Sequence, residues 1–267
     1  MTTVLLGIPL DRNSSFSQGP SAGPAAIRAA LASDHWNRTT ELGVDLDVAD
    51  WRDGGDVDWR GPQALEQVRA AAGDIAEVGD CVLALGGDHS VSAPLMAAAA
   101  ERCGPLTVLH VDAHPDLYAD FQGNPHSHAS PFARALEAGS VGRLIQVGVR
   151  TINAHQADQA ARHSVEVVAM RDWPRDVTSG LDAPLYVLID VDALDPAHAP
   201  GVSHNEPGGL TVREVLRIIH ALPVAPVAAD VVELNPLRDI AGVTATAAAK
   251  IVKELLGRMV EPGAQPS

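Results

Sequence analysis

Short apolar runs alternate along this chain with alanine-rich stretches whose hydrophobic residues recur at helical spacing. The runs are rich in Val, Leu and Ile, which is typical of strands that are covered on both faces. The pattern predicts strands at Val4–Ile8, Cys81–Leu85, Leu106–Val111, Leu144–Val149, Val165–Ala169, Tyr186–Val191 and Val227–Val232. It predicts helices at Pro24–Ala32, Gln63–Val78, Ala93–Arg102, Phe132–Ala138, His155–Arg162, Val212–Ala221 and Ala245–Met259.

This alternation predicts a three-layer α/β fold, in which helices cover both faces of a mostly parallel β-sheet. Thr211 and Glu214 have the spacing of a capping box at the start of one predicted helix. The sequence has no repeat and no linker long enough to divide it, so we expect a single domain over residues 1–260. Residues 261–267 are predicted to form a frayed C-terminal tail.

Composition narrows the classes of function. Because 19 Lys and Arg stand against 34 Asp and Glu, the formal net charge is −15, and we expect no nucleic-acid or membrane partner. No apolar run reaches the ~18 residues of a membrane-spanning helix, and the first residues lack the basic start of a signal peptide. The two cysteines, Cys81 and Cys103, exclude a disulfide-dense scaffold and suit a reducing compartment, so we expect a cytoplasmic protein.

Acidic or imidazole side chains follow four of the predicted strands. In open α/β sheets, ligands bind beyond the carboxyl ends of the strands, which is where these residues lie. Carboxylates two residues apart on a strand share one face, and near a core they repel each other unless a cation compensates them. The residues are His89, Asp112, His114, Asp116, Asp190, Asp192 and Glu233.

The first six of these residues predict a metal site. Four carboxylates with two imidazoles favour Mn²⁺, whereas a structural zinc site usually takes thiolates. Six such ligands suit two ions that share bridging carboxylates, and a metal pair lowers the pKa of the water between them. His110 lies inside an apolar strand, and we interpret it as a hydrogen-bonded core residue rather than a ligand.

The segments GGDHS at 86–90, DAHPD at 112–116 and DVDALDP at 190–196 resemble the ureohydrolase superfamily, which contains the arginases and agmatinases. The likeness covers nearly the whole chain. SHASPF at 127–132 and GVSHNEPGGL at 201–210 are most similar to the plant-type arginases. The resemblance implies an arginase-like fold and a hydrolase that releases urea and an amine from a linear guanidino compound.

The resemblance also implies a role for each residue. One manganese ion would be held by His89, Asp112, Asp116 and Asp190, and the other by His114, Asp112, Asp190 and Asp192. Asp116 and His128 would carry protons, and Glu233 would pair with the guanidinium. Further substrate contacts are expected from Asn124, Ser127, Asn153 and His204. By analogy with the family, we expect a homo-oligomer, either a trimer or a hexamer.

Two alternatives keep the fold and change the function. One is hydrolysis of a formimino group, as in formiminoglutamases, and the other is a metal-binding homologue without catalysis. Magnesium-dependent phosphatase chemistry is disfavoured, because no basic residues accompany the acidic strand ends. Among arginine, agmatine and ω-guanidino acids, the sequence favours agmatine for two reasons. Asn153 stands where animal-type arginases carry an acid for the α-ammonium group, and the loop from Leu117 to Ser127 has no Arg for an α-carboxylate.

Overall fold

The computed structural model describes residues 2–260, so the predicted tail at 261–267 lies outside the described residues. Eight strands form one sheet, and every strand pairing in it is parallel. The strands are β1 (Thr3–Gly7), β2 (Trp51–Asp56), β3 (Cys81–Leu85), β4 (Leu106–Val111), β5 (Val141–Val149), β6 (Glu166–Ala169), β7 (Leu185–Asp190) and β8 (Ala228–Val232). Their order across the sheet is β2-β1-β3-β8-β7-β4-β5-β6.

Helices cover both faces of this sheet, which confirms the predicted three-layer fold. They are α1 (Gly23–Leu31), α2 (Ala64–Glu77), α3 (Ser92–Cys103), α4 (Pro131–Glu137), α5 (Ala154–Arg162), α6 (Val212–His220) and α7 (Val243–Val260). Apolar residues of α1, α6 and α7 share one hydrophobic core, and those of α2 to α5 share the other. None of the helices within residues 2–260 is both long and apolar enough to cross a membrane.

Local sequence explains where these elements begin and end. The predicted capping box is confirmed, because the Thr211 side chain accepts the backbone N–H of Glu214 and the Glu214 side chain accepts that of Thr211. Strands β3, β4, β7 and β8 are buried along their whole length, as their mostly apolar sequences predict. These four strands lie side by side at the centre of the sheet, so their carboxyl ends meet.

The sequence pattern failed to predict β2. This strand reads WRDGGD, and five of its six residues are exposed. It pairs only with β1 and forms the edge of the sheet. Polar residues at such an edge disfavour pairing with a strand of another chain. Arg28 of α1 contacts both Asp53 and Asp56, so an ion pair rather than apolar packing fastens this strand.

Candidate active site

His89, which follows β3, lies at the centre of a group of carboxylates. Its Nδ1 atom is 2.7 Å from Oδ2 of Asp116 and 3.4 Å from Oδ2 of both Asp112 and Asp190. The imidazole is fully buried, and none of these contacts has hydrogen-bond geometry. A nitrogen that faces three carboxylates without a directed hydrogen bond is arranged as a metal ligand would be.

His114 lies on the other side of Asp112. Its Nδ1 atom is 3.3 Å from Oδ1 of Asp112 and 3.1 Å from Oδ2 of Asp192. Asp112 therefore lies between the two imidazoles, with Oδ2 toward His89 and Oδ1 toward His114. The structure brings together all six of the side chains predicted to be metal ligands.

Tight turns after the strands make these side chains converge. Oδ1 of Asp112 accepts the backbone N–H of His114 at 2.6 Å, and Oδ1 of Asp190 accepts that of Asp192 at 2.8 Å. Asp192 lies in a single 3-10 turn that follows β7, so the turn, rather than strand alternation alone, directs its side chain. Asp116 has a φ of 47°, a left-handed conformation that non-glycine residues adopt mainly in turns and functional sites.

The electrostatics of this cluster favour a cation. Burial, with the charges of Asp192 and Asp112, raises the pKa of Asp190 well above its usual range. Burial likewise raises the pKa of Asp192 to about 6. Carboxylates that resist ionisation together are stabilised by positive charge, and oxygen and imidazole donors suit divalent metal ions. The residues present therefore fit the metal pair that the resemblance implies.

His110 contributes to the cluster from within β4. Its Nε2 atom lies 2.7 Å from Oδ2 of Asp112, and its Nδ1 atom lies 3.1 Å from the side-chain amide nitrogen of Gln146. Burial lowers the pKa of His110, so the ring is neutral, donates from Nε2 and accepts at Nδ1. His110 is close enough to His89 and Asp112 to share an ion with them. However, both ring nitrogens of His110 already have hydrogen-bond partners within the protein. We therefore interpret His110 as a residue that orients Asp112 rather than as a metal ligand.

Glu233 follows β8 and presents one unpaired oxygen. Its Oε1 atom accepts the backbone N–H of His89 at 2.9 Å and lies 3.1 Å from Nδ1 of His128. Its Oε2 atom is buried and accepts no hydrogen bond from the described residues. Burial acts to raise the pKa of Glu233, but the hydrogen bond and charge of His128 hold it below its usual range. Glu233 is therefore an ionised carboxylate with a fixed orientation.

A cavity of about 200 Å³ opens above these groups. Among the described residues that line it, the carboxylates are those of Asp116, Asp190, Asp192 and Glu233, and none is Lys or Arg. His204 lines it as predicted, with its ring centre 5.0 Å from that of His128. Sequence reasoning missed six further lining residues, which are Ser15, Tyr118, Phe121, Ala129, Thr151 and Gln156.

Two of the predicted substrate contacts lie outside the cavity lining. The side-chain amide of Asn124 donates to Oδ1 of Asn13 at 3.2 Å. Ser127 is 2% exposed, and its hydroxyl accepts the backbone N–H of Ala129. Both residues therefore lie outside the cavity, and their hydrogen bonds stabilise the loop that carries His128.

Asn153 does line the cavity, but its amide is engaged within the protein. Its Oδ1 atom caps α5 by accepting the backbone N–H of Gln156 at 2.9 Å. Its amide nitrogen donates to the hydroxyl of Tyr118. Asn153 therefore lies in front of α5 because it caps this helix. The capping-box spacing from Asn153 to Gln156 could have predicted this role from the sequence.

The carboxyl edge of this parallel sheet thus carries an acidic and imidazole cluster suited to metal ions, beside the unpaired carboxylate oxygen of Glu233. The Arginase family model matches residues 1–257. Over 97% of this chain and 81% of its own, mitochondrial arginase 1 of Arabidopsis thaliana is 44% identical. The agmatinase of Bacillus subtilis is 32% identical over 95% of this chain and 90% of its own.

The solved structures agree with the sequence relatives. The arginase structure from Medicago truncatula superposes with a TM-score of 0.91 at 42% identity, covering 97% of this chain and 87% of its own. The chain belongs to the arginase family. It is a hydrolase of carbon–nitrogen bonds in linear amidines that releases urea from a guanidino group.

Proposed function

We propose that this enzyme is a dimanganese hydrolase of a free linear guanidino compound, with arginine as its substrate and urea and ornithine as its products. The observation that carries the proposal is the buried, unpaired Oε2 atom of Glu233 at the cavity. A buried acceptor without a donor is costly unless a ligand supplies one. A guanidinium group supplies both the missing N–H donor and the opposite charge.

The surroundings of Glu233 favour this role. Because Oε1 is held by His89 and His128, the carboxylate cannot turn away from the cavity. Oε2 is left to fix the guanidinium in one orientation relative to the carboxylate and imidazole cluster. Such positioning lowers the barrier to reaction, because the reacting groups no longer have to find each other.

The metal ligands we propose are the six predicted residues, with Asp112 and Asp190 shared between the ions. Asp112 lies close to both imidazoles, which supports its bridging role. The oxygen-rich donor set favours manganese over softer ions. When bound, a metal pair supplies hydroxide from water near neutral pH.

Two residues are proposed to manage the protons. A guanidino group loses its amine only when the departing nitrogen is protonated, so the site needs a proton carrier. Burial acts to lower the pKa of His128, but Glu233 raises it to about 9, so His128 holds a proton near neutral pH. The carboxylate of Asp116 lines the same cavity, and we assign to it the transfer of a proton to the departing amine.

The substrate tail decides between arginine and agmatine. The plant relatives named arginases are 42–44% identical, against 32% for the agmatinase, which supports arginine. The preference for agmatine drawn from the sequence rests on Asn153 facing the substrate, whereas its amide is bonded to Gln156 and Tyr118. Agmatine is nevertheless the second candidate, because it lacks the α-carboxylate of arginine and the described cavity lining has no Lys or Arg to pair with one.

The cytoplasmic location stays a prediction of the sequence, and so does the homo-oligomer. Exposed apolar side chains support association between copies of the chain. Leu237 and Ile240, between β8 and α7, are 79% and 65% exposed. Adjacent exposed apolar residues of this kind mark surfaces that other proteins cover. The sedimentation velocity of the full chain measures the number of subunits directly.

A urea-release screen of the Mn²⁺-loaded protein tests the proposed function. The substrates are arginine, agmatine, guanidinobutyrate and guanidinopropionate, with formiminoglutamate as the counter-substrate. We expect urea from arginine with the highest kcat/KM. A higher kcat/KM for agmatine would reassign the substrate, formamide without urea would favour the formimino reaction, and no turnover by metal-loaded protein would favour a silent homologue.

A further inference from the structure

Both ring nitrogens of His128 have partners, and they come from opposite ends of the chain. Nδ1 lies 3.1 Å from Oε1 of Glu233, and Nε2 lies 2.9 Å from Oγ of Ser15. His128 itself is 8% exposed, whereas Ser15 is exposed and lines the cavity. The hydroxyl of Ser15 therefore lies between a buried imidazole and the solvent.

The chemistry of the two contacts assigns the protons. An ionised carboxylate only accepts hydrogen bonds, so Nδ1 of His128 carries a proton and donates it to Glu233. Protonation changes are then confined to Nε2, which donates to Ser15 in the charged ring and accepts from Ser15 in the neutral ring. A hydroxyl can both donate and accept, so Ser15 matches either state without moving.

The loop that carries Ser15 is fixed by a buried carboxylate. Asp88 is fully buried, and its Oδ2 atom accepts the backbone N–H of Asn13 at 2.9 Å and faces the hydroxyl of Ser14 at 3.4 Å. The backbone N–H of His128 donates to the carbonyl of Asn13 at 3.2 Å. The loop and His128 thus share a rigid frame, which keeps the Ser15 hydroxyl in line with Nε2.

We propose that Ser15 is the relay through which His128 exchanges its proton with solvent during turnover. When His128 is recharged, a water molecule gives a proton to Oγ of Ser15 while the existing O–H proton of Ser15 passes to Nε2. One O–H bond of water and the O–H bond of Ser15 break, while a new O–H bond on Ser15 and an N–H bond on His128 form. Ser15 is therefore unchanged, and hydroxide returns to the solvent or buffer. This inference rests on the proposed function, in which His128 supplies protons.

The test compares Ser15→Thr with Ser15→Val. These side chains have nearly the same shape, but only threonine keeps the hydroxyl, and valine also keeps water from taking its place. We expect Ser15→Thr to stay within about threefold of the wild-type kcat and Ser15→Val to fall ~10–100-fold, with the KM for arginine unchanged in both. Ser17→Ala, in the same loop, is the matched control and should retain full activity.

A second readout separates proton relay from loop structure. A hindered pyridine buffer, whose flanking methyl groups keep it from binding metal, can give a proton to His128 from its protonated form. Increasing its concentration should raise the kcat of Ser15→Val and leave that of Ser15→Thr unchanged. Equal kcat values for Ser15→Thr and Ser15→Val, or a Ser15→Val rate that the buffer acid does not raise, would overturn the relay. If wild-type protein released no urea at all, the proposed function itself would fail.

Discussion

The side chain of Glu233 accepts the backbone N–H of His89 at 2.9 Å, although 144 residues separate the two positions in the sequence. The bond joins the carboxylate proposed for the guanidinium to the turn that holds a proposed metal ligand. It is buried, so water does not compete for either partner. The distance between bound guanidinium and the metal ligands is thus built into the backbone where β3 and β8 end.

Glu233→Gln should leave the metals in place and reduce turnover severely. The amide keeps the shape of the side chain but removes its charge. In place of the carboxylate oxygen, the guanidinium then meets either an N–H donor or a neutral oxygen. Breaking a buried ion pair costs several kcal/mol, so we expect kcat/KM for arginine to fall about a hundredfold or more. Metal analysis should match that of Glu137→Gln, an exposed control on α4. Loss of metal from the Glu233 variant would make this residue a ligand.

Asp190→Asn should lose both metal affinity and activity. Asp190 is 2% exposed and is proposed to serve both ions, so a neutral amide weakens both sites together. We expect fewer than one ion per chain to remain after dialysis, with urea release close to background. Asp158→Asn, an exposed control on α5, should bind metal and turn over like the wild type. Full metal content in the Asp190 variant would refute its bridging role.

Arg150 ties the end of β7 to the loop at residues 201–210. Its guanidinium donates to the carbonyl of Asp192 at 2.7 Å and to that of Glu206 at 2.6 and 2.8 Å. Lysine cannot span both carbonyls, so Arg150→Lys should lower the free energy of unfolding by ~1–3 kcal/mol and weaken metal binding.

Denaturant titration measures the loss of stability, and calorimetry measures the metal affinity. Arg143→Lys is the matched control, because Arg143 pairs with the exposed Glu166 and such pairs contribute ~0–1 kcal/mol. If Arg150→Lys were no more harmful than Arg143→Lys, then Arg150 would not brace the metal site.

The His128–Glu233 pair should make stability depend on pH. Glu233 raises the pKa of His128 to about 9, above the ~6.5 of an unfolded histidine. The stabilisation is therefore complete below pH ~6.5 and lost as the pH rises toward 9. The pKa of Glu233 is lowered, so this carboxylate contributes above its ordinary value of 4.5. We expect the difference in unfolding free energy between wild type and His128→Asn to be largest near pH 6 and to shrink by pH 9, whereas a pH-independent difference would contradict the ion pair.

Much of the fold was predictable because its strands are buried on both faces. Mostly apolar runs identified β3 and β4, whose observed bounds match those predicted. The edge strand β2 has no such run, because solvent covers its outer side and Arg28 replaces apolar packing. Strand β5 begins three residues before the predicted Leu144, at Val141, since its first residues pair with β4 despite the polar Arg143.

The candidate site was predictable only in part. Residues such as Asp112 and Asp190 follow apolar runs directly, so their convergence at one sheet edge follows from the topology of parallel strands. Ser15 could not be placed, because it meets His128 across 113 residues through a loop with no periodicity. The side-chain bonds of Asn153 to Tyr118 and of Asn124 to Asn13 are likewise tertiary contacts that no local spacing encodes.

In the function proposed for this enzyme, the six-residue cluster binds two metal ions and, with Glu233, hydrolyses a guanidino group. The measurement that tests it most directly is urea release from arginine by metal-free protein as Mn²⁺ is added back stepwise. We predict that urea release rises with bound manganese, reaches its plateau at two ions per chain, and yields one urea for each arginine consumed. A plateau at one ion per chain, or loss of arginine without urea, would contradict it.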